Sequence, residues 1–253
     1  MKFLKTVMIL FVFVSCTKSE TGILSTMVQL NFSHNWSGLA ITKTSFNDIK
    51  FTNAHGEQLS IVQFRYLISN ITLTDVAGQK IIIKNRQLIN LGEETGLSLT
   101  SDSAIPQGTY KLSFTFGLND ADNLDGVYKD LNSVSLNVPT MLGGGYHFMQ
   151  FDGKFNGINS LTNSFNYHAI RAVNKDDLAN FIFKDTSFEV SLGAVDVKNS
   201  EIIEVKMDIS EWFKNPNLWD LNTLNSMLMP NFNAQILMSA NGKSVFSLGA
   251  VTL

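Results

Sequence analysis

Apolar and polar residues alternate with period two along most of the chain. The runs are "MVQLNFSH" (27–34), "QFRYLISNITLTD" (63–75), "KIIIKNRQLINL" (80–91), "TYKLSFTFGL" (109–118) and "YHFMQFDGKF" (146–155). They continue through "FNYHAIRA" (165–172), "SFEVSLGAVDV" (187–197), "EIIEVKMDI" (201–209), "FNAQILMSA" (232–240) and "SVFSLGAVTL" (244–253). Alternation places every second side chain on the same face of a strand, so each run predicts a half-buried strand. Ala77-Gly78 and Asn241-Gly242 mark turns between them. The pattern predicts an all-β protein, an antiparallel β-sandwich of about ten strands with two or three short helices. The helices are expected in "NKDDLANFIF" (174–183) and in "SEWFKNPNLWDLNTLNSMLM" (210–229). In the second of these, Ser210 can cap one helix and Asn215-Pro216 separates it from another.

The first residues follow a different rule. "MKFLKTVMILFVFVSC" carries Lys2 and Lys5, then an apolar run from Val7 to Val14, then Ser15-Cys16. The run is too short to span a bilayer and reads as a secretory signal. Cys16 is the one cysteine and stands where a bacterial lipoprotein signal is cut and lipidated, with Phe13 in the leucine position of the Leu-x-x-Cys box. An ordinary cleaved signal with an incidental cysteine is the alternative. The expected organisation is a lipoprotein signal peptide over 1–15, a lipidated tether over 16–26 and one β-sandwich domain over 27–253. The expected location is the outer membrane, held by the lipid anchor and facing the periplasm or the cell surface. A single cysteine also leaves the mature chain without a disulfide, so its stability rests on its core.

Composition narrows the function. Hydrophobic residues make up 44% and charged ones 16% of 253 residues, with a net charge of −3 and a pI near 5.8. That is a folded chain with no basic field, so nucleic acid is excluded as a partner. No paired cysteines, no His-x-x-x-His, no Gly-x-Ser-x-Gly and no phosphate loop occur, and nothing local predicts an enzyme. "NDADNLDG" (119–126) gathers Asp120, Asp122 and Asp125, but Leu124 and Leu131 stand where an EF-hand needs oxygen ligands. A looser calcium cage or a solvated turn remains for it. His34, His147 and His168 all fall near strand ends and could converge at one end of the sandwich. Imidazole suits copper, zinc or nickel, and Met141 and Met149, flanking His147, could add soft sulfur. His55, in "NAHGEQ", reads as a solvated hairpin tip.

Several segments together resemble the MbnP-like family of periplasmic copper-binding proteins associated with methanobactin uptake. "LNFSHNWSGLAI" looks like the family's opening strand with its Phe-x-His, and "FRYLISNITLTDVAGQ" is similar to its Lys/Arg-Tyr-x-Ile-Ser-x-Ile-x-Leu hallmark. "IPQGTYKLSFTFGLNDADN", "GGYHFMQFDGKF", "FNYHAIRA" and "MDISEWF" with "NGKSVFSLG" extend the likeness over almost the whole mature chain. The resemblance implies a β-sandwich holding copper through histidines, with His34 and His168, the histidines of the two Phe-x-His motifs, as ligands. His147 fills the variable slot of Gly-Tyr-x-Phe and is a candidate on geometry alone. Copper-binding members carry Trp-x-Trp-x-x-Gly-Tyr, whereas this chain has Met141, Leu142, Gly143 and Gly144 ahead of Gly145-Tyr146. The site is then either opened for a different ligand or lost.

The expectation is a membrane-anchored lipoprotein, not an enzyme, that binds a transition metal, copper above others. Such a site should release its metal below about pH 6, as imidazoles protonate. The alternative is a metal-free module serving a TonB-dependent outer-membrane receptor or a periplasmic di-haem peroxidase. Tyr66 and Tyr146 are expected as packing residues, and Trp212, Phe213 and Trp219 as staples of short helices onto the sheet. Arg65 and Arg171 are expected to pair with carboxylates across strands. The metal reading depends on His34 and His168 meeting at one rim.

Overall fold

A computed structural model of the chain describes residues 24–158, 161–177 and 180–252. The expected signal, Cys16 and most of the tether lie outside these residues. Nine principal strands carry the fold: β1 (Gln29–Trp36), β2 (Gln63–Asp75), β3 (Lys80–Asn90), β4 (Gly108–Phe116), β5 (Met149–Asn156), β6 (Thr162–Ala169), β7 (Phe188–Val197), β8 (Ile202–Asp208) and β9 (Phe246–Thr252). The alternating runs therefore become strands nearly where the periodicity places them.

The larger sheet is ordered β7-β4-β2-β5 and continues through the short strands Gln58–Leu59 and Phe51–Thr52. β3 flanks β2, and β6 flanks β5. β2 serves two neighbours on one side: its start pairs with β5 (Phe64 opposite Phe151) and its end with β4 (Leu73 opposite Leu112). The smaller sheet is β9-β8-β1, with Leu39–Ala40 and Ser98–Thr100 both on β1. One pairing departs from the antiparallel expectation. β8 runs parallel to β1, with Val205 opposite Phe32, which the long connection between them permits.

Between the sheets lies an aromatic core. Phe116 stacks on Phe188 with centroids 5.0 Å apart, Tyr167 meets Trp219 at 4.6 Å, and Phe151 meets Phe64 edge-on at 5.0 Å. Burying each such ring contributes on the order of 2–3 kcal/mol, which supports a fold without disulfides. The same alternation that points Phe151, Phe155, Phe165 and Tyr167 inward turns Gln150 and Asp152 of β5, and Asn166 and His168 of β6, to the opposite face of the sheet.

Three local expectations are corrected. The run 232–240 forms an α-helix, Phe232–Gly242, not a strand: Asn231 caps it by accepting from the Ala234 N–H, and Ala234 and Met238, four apart, are both buried. Residues 174–183 give the strand pair Ala172–Asn174 and Ile182–Lys184, with no helix among the described residues. Of the two helices expected in 210–229, one 3-10 turn forms, Ile209–Phe213, capped by Asp208 rather than Ser210. The following loop is instead pinned by the buried Asn241, whose amide donates to the Trp212 and Asn217 carbonyls and whose oxygen accepts from the Asn217 N–H. Trp212, Phe213 and Trp219 are fully enclosed core residues. No helix among the described residues is long and apolar enough to cross a membrane.

Candidate metal centre

The outward face of the β5–β6 hairpin carries the site. Register places Gln150 opposite His168 and Asp152 opposite Asn166. Asp152 Oδ1 accepts from His168 Nε2 at 2.9 Å and from Asn166 Nδ2 at 2.5 Å. Burial alone would raise the Asp152 carboxyl; these hydrogen bonds outweigh it and hold the group below the usual carboxylate range. A carboxylate at Nε2 fixes the proton there, so His168 Nδ1 keeps its lone pair. That Nδ1 is buried and has no hydrogen-bond partner among the described residues. A carboxylate behind one nitrogen with the other bare is the arrangement of a metal-binding imidazole.

His147 reaches the same place from a strap, residues 136–147, closed on itself where Asn137 bridges Tyr146. Its backbone N–H and its ring Nδ1 both donate to the Leu136 carbonyl, each at 2.9 Å. Since a carbonyl can only accept, the proton sits on Nδ1 and Nε2 is bare. Nε2 points at Met229 Sδ, 3.2 Å away. Burial pushes the His147 imidazole down to about 4, so it stays neutral at ordinary pH. The His147 and His168 rings stand edge to face with centroids 5.3 Å apart. Two imidazoles sharing one ion, each with a metal–nitrogen bond of ~2.0 Å, have ring centres about 5–6 Å apart.

The surrounding residues hold these groups in place. Gln235, on the helix, donates to the carbonyls of both His168 and Leu228, which ties the loop carrying Met229 to β6. Among the described residues Arg65 pairs with no carboxylate across strands; it donates to Gln150 Oε1 at 2.6 Å, steadying the residue opposite His168.

The triple glycine belongs to the strap. Gly143, Gly144 and Gly145 all take left-handed backbone, with φ of 92°, 66° and 83°. Side chains there would strike Phe183, Asp125 and Asn123 respectively. Asp125 Oδ1 accepts from the Gly145 N–H and Asn123 Oδ1 from the Tyr146 N–H. The acidic loop therefore aligns the residues leading into His147. Asp120 faces Arg171, the Asp122 carboxylate accepts from Asn119 Nδ2 and Asp125 holds Gly145, so among the described residues these three carboxylates do not converge on a calcium site.

Of the sequence-derived candidates, the structure unites His147 and His168 and separates the others. His34 shares the inward face of β1 with Leu30 and Phe32, and its Nε2 is hydrogen-bonded to the buried Tyr66 hydroxyl at 3.0 Å. His168 points to the far side of the other sheet, so the expected His34–His168 pair does not form. Met149 is a core residue with no exposure, on the inward face of β5 with Phe151. Met141 is 70% exposed and makes no part of the cluster. Met229 was missed because it stands in the segment expected as a helix, with no period to place it. Its signal was a methionine beside a proline in a loop-forming stretch. One nitrogen from each of two imidazoles and one thioether sulfur form a soft donor set that fits copper, above all Cu(I).

The sequence profile of the MbnP family matches residues 25–230. Among solved structures, MbnP from Methylosinus trichosporium is similar to this chain with a TM-score of 0.56 over 90% of this chain and 99% of that one, at 13% identity, a likeness of fold. No curated protein matches. With most of its length covered by the family's profile, the chain belongs to the MbnP family.

Proposed function

We propose that this protein binds copper as Cu(I) through His147 Nε2, His168 Nδ1 and Met229 Sδ, and that it does so as a lipoprotein anchored by Cys16. The observation that carries the reading is the His147–Met229 contact, where two lone-pair donors meet at 3.2 Å with no proton between them, beside the unpartnered His168 Nδ1. Membership in the MbnP family supports a metal-related role. The neutral state of His147 supports it further, since no proton need leave that ring before a metal binds above about pH 4.

Copper would hold together a strap, a strand and a loop that are far apart in sequence. A thioether, the buried His147 imidazole and the half-buried His168 imidazole favour the reduced ion, consistent with storage or transfer of copper rather than chemistry upon it. Competition against a Cu(I) chelator tests the proposal. The wild-type protein takes up one equivalent, and the His147→Ala/His168→Ala protein takes up none. Full uptake by that double variant would end the proposal. For the anchor, labelling with a fatty-acid probe in a lipoprotein-processing bacterium should mark the wild-type chain and not Cys16→Ser.

A further inference from the structure

A second group of ligating side chains lies at the other end of β5. The tip of the hairpin formed by Phe51–Thr52 and Gln58–Leu59 carries His55 and Glu57, and the loop after Trp219 brings Asp220 to it. One ligand atom from each of these three residues lies within 4.8 Å of the other two. His55 Nδ1 is 2.7 Å from Glu57 Oε1 and 3.6 Å from Asp220 Oδ1. The hairpin tip is preset: Asn53 Oδ1 accepts from the Gly56 and Glu57 N–H groups at 2.9 Å each. Asn222 then donates to Glu57 Oε1 at 2.7 Å and to Asp220 Oδ1 at 3.1 Å, aligning the two carboxylates side by side.

One atom in this arrangement is unaccounted for. The Glu57 side chain is only 4% exposed, yet its Oε2 is buried with no hydrogen-bond partner among the described residues. A carboxylate oxygen without a partner is costly to bury, and Glu57 is also one of the residues, with His55 and Asn222, that line a cleft of about 220 Å³.

We propose that His55, Glu57 and Asp220 form a second metal site, separate from the copper site, for a divalent ion of the zinc class. Each residue supplies one donor, and water from the open cleft completes the coordination. The imidazole nitrogen selects against calcium and magnesium, which take oxygen donors alone. The two carboxylates distinguish it from the soft His147–His168–Met229 set, and one imidazole with two carboxylates is a donor set zinc accepts. The ion joins the hairpin tip to a loop distant in sequence, so its binding stabilises the fold.

The test uses the full mature chain carrying His147→Ala and His168→Ala, so that the first site contributes no zinc. This protein is dialysed against Zn2+ and assayed for bound metal and melting temperature. The inference predicts one tightly held zinc and a rise in melting temperature on zinc addition. It predicts that His55→Ala or Asp220→Asn, added to this background, weakens zinc binding by more than about tenfold. No retained zinc in the folded background protein, or equal retention after His55→Ala and Asp220→Asn, would overturn it. Calcium binding as tightly as zinc would also overturn the assignment. Since the background already lacks two ligands of the copper site, failure here leaves the copper proposal standing.

Discussion

His147 Nε2 lies 3.2 Å from Met229 Sδ, and neither atom has a proton to offer the other. The contact is poor as a hydrogen bond and good as two corners of a coordination sphere. Met229→Leu keeps the volume and removes the sulfur. It is expected to weaken Cu(I) binding by at least about tenfold while shifting stability by less than about 1.5 kcal/mol. Met149→Leu and Met141→Ala should leave Cu(I) affinity unchanged. A chelator titration of the three variants gives the comparison.

Asp152 acts behind His168. Removing its carboxylate in Asp152→Ala frees the His168 proton to move to Nδ1, the nitrogen the metal needs. Losses of about 10–100-fold in metal affinity follow from removing such a partner. The same titration reads this, and unchanged affinity would show that His168 binds by its other nitrogen or does not bind.

His34 supplies a prediction about pH instead of metal. Burial pushes its imidazole down to about 4, from 6.5 in the unfolded chain. The unfolded state therefore takes up a proton first as pH falls. This group leaves stability unaltered above about pH 6.5, erodes it between 6.5 and 4, and removes at most about 3 kcal/mol below that. Urea unfolding of the metal-free protein should show stability falling across this window. His34→Gln should reduce the slope, leaving the share due to His147. An unchanged slope in His34→Gln would contradict the assignment. At His147 itself, proton competition with a metal begins only as pH approaches 4.

Gly145→Ala tests the strap. A Cβ there would come within 2.6 Å of Asn123 Oδ1, on backbone with φ of 83°. A cost of about 1–3 kcal/mol is expected, with weaker copper binding because His147 follows two residues later. Thermal unfolding and copper titration of this variant should move together.

Much of the fold was legible because the runs alternate cleanly, and β2 spans the residues that its pattern marks. The same alternation held more than was taken from it. His34 falls in step with Leu30 and Phe32, which marks a core-facing ring, whereas His168 is out of step with Phe165 and Tyr167, which marks an outward one. Parity alone separates the two histidines that motif likeness had paired. The helix Phe232–Gly242 was hidden because its segment also alternates, and the Asn231 cap decided the outcome. Met229 could not be placed, because a loop has no period and its position depends on Gln235 reaching both Leu228 and His168. The carboxylates of the second site were scattered across the chain, and only folding brings Asp220 to His55.

The most direct test of the central claim is X-ray absorption at the copper K-edge on the Cu(I)-loaded protein. The account predicts two nitrogen scatterers and one sulfur at about 2.3 Å, with the sulfur lost in Met229→Leu and copper itself lost in His147→Ala/His168→Ala. A spectrum without sulfur, or copper that survives the double substitution and disappears in His34→Gln, would contradict it.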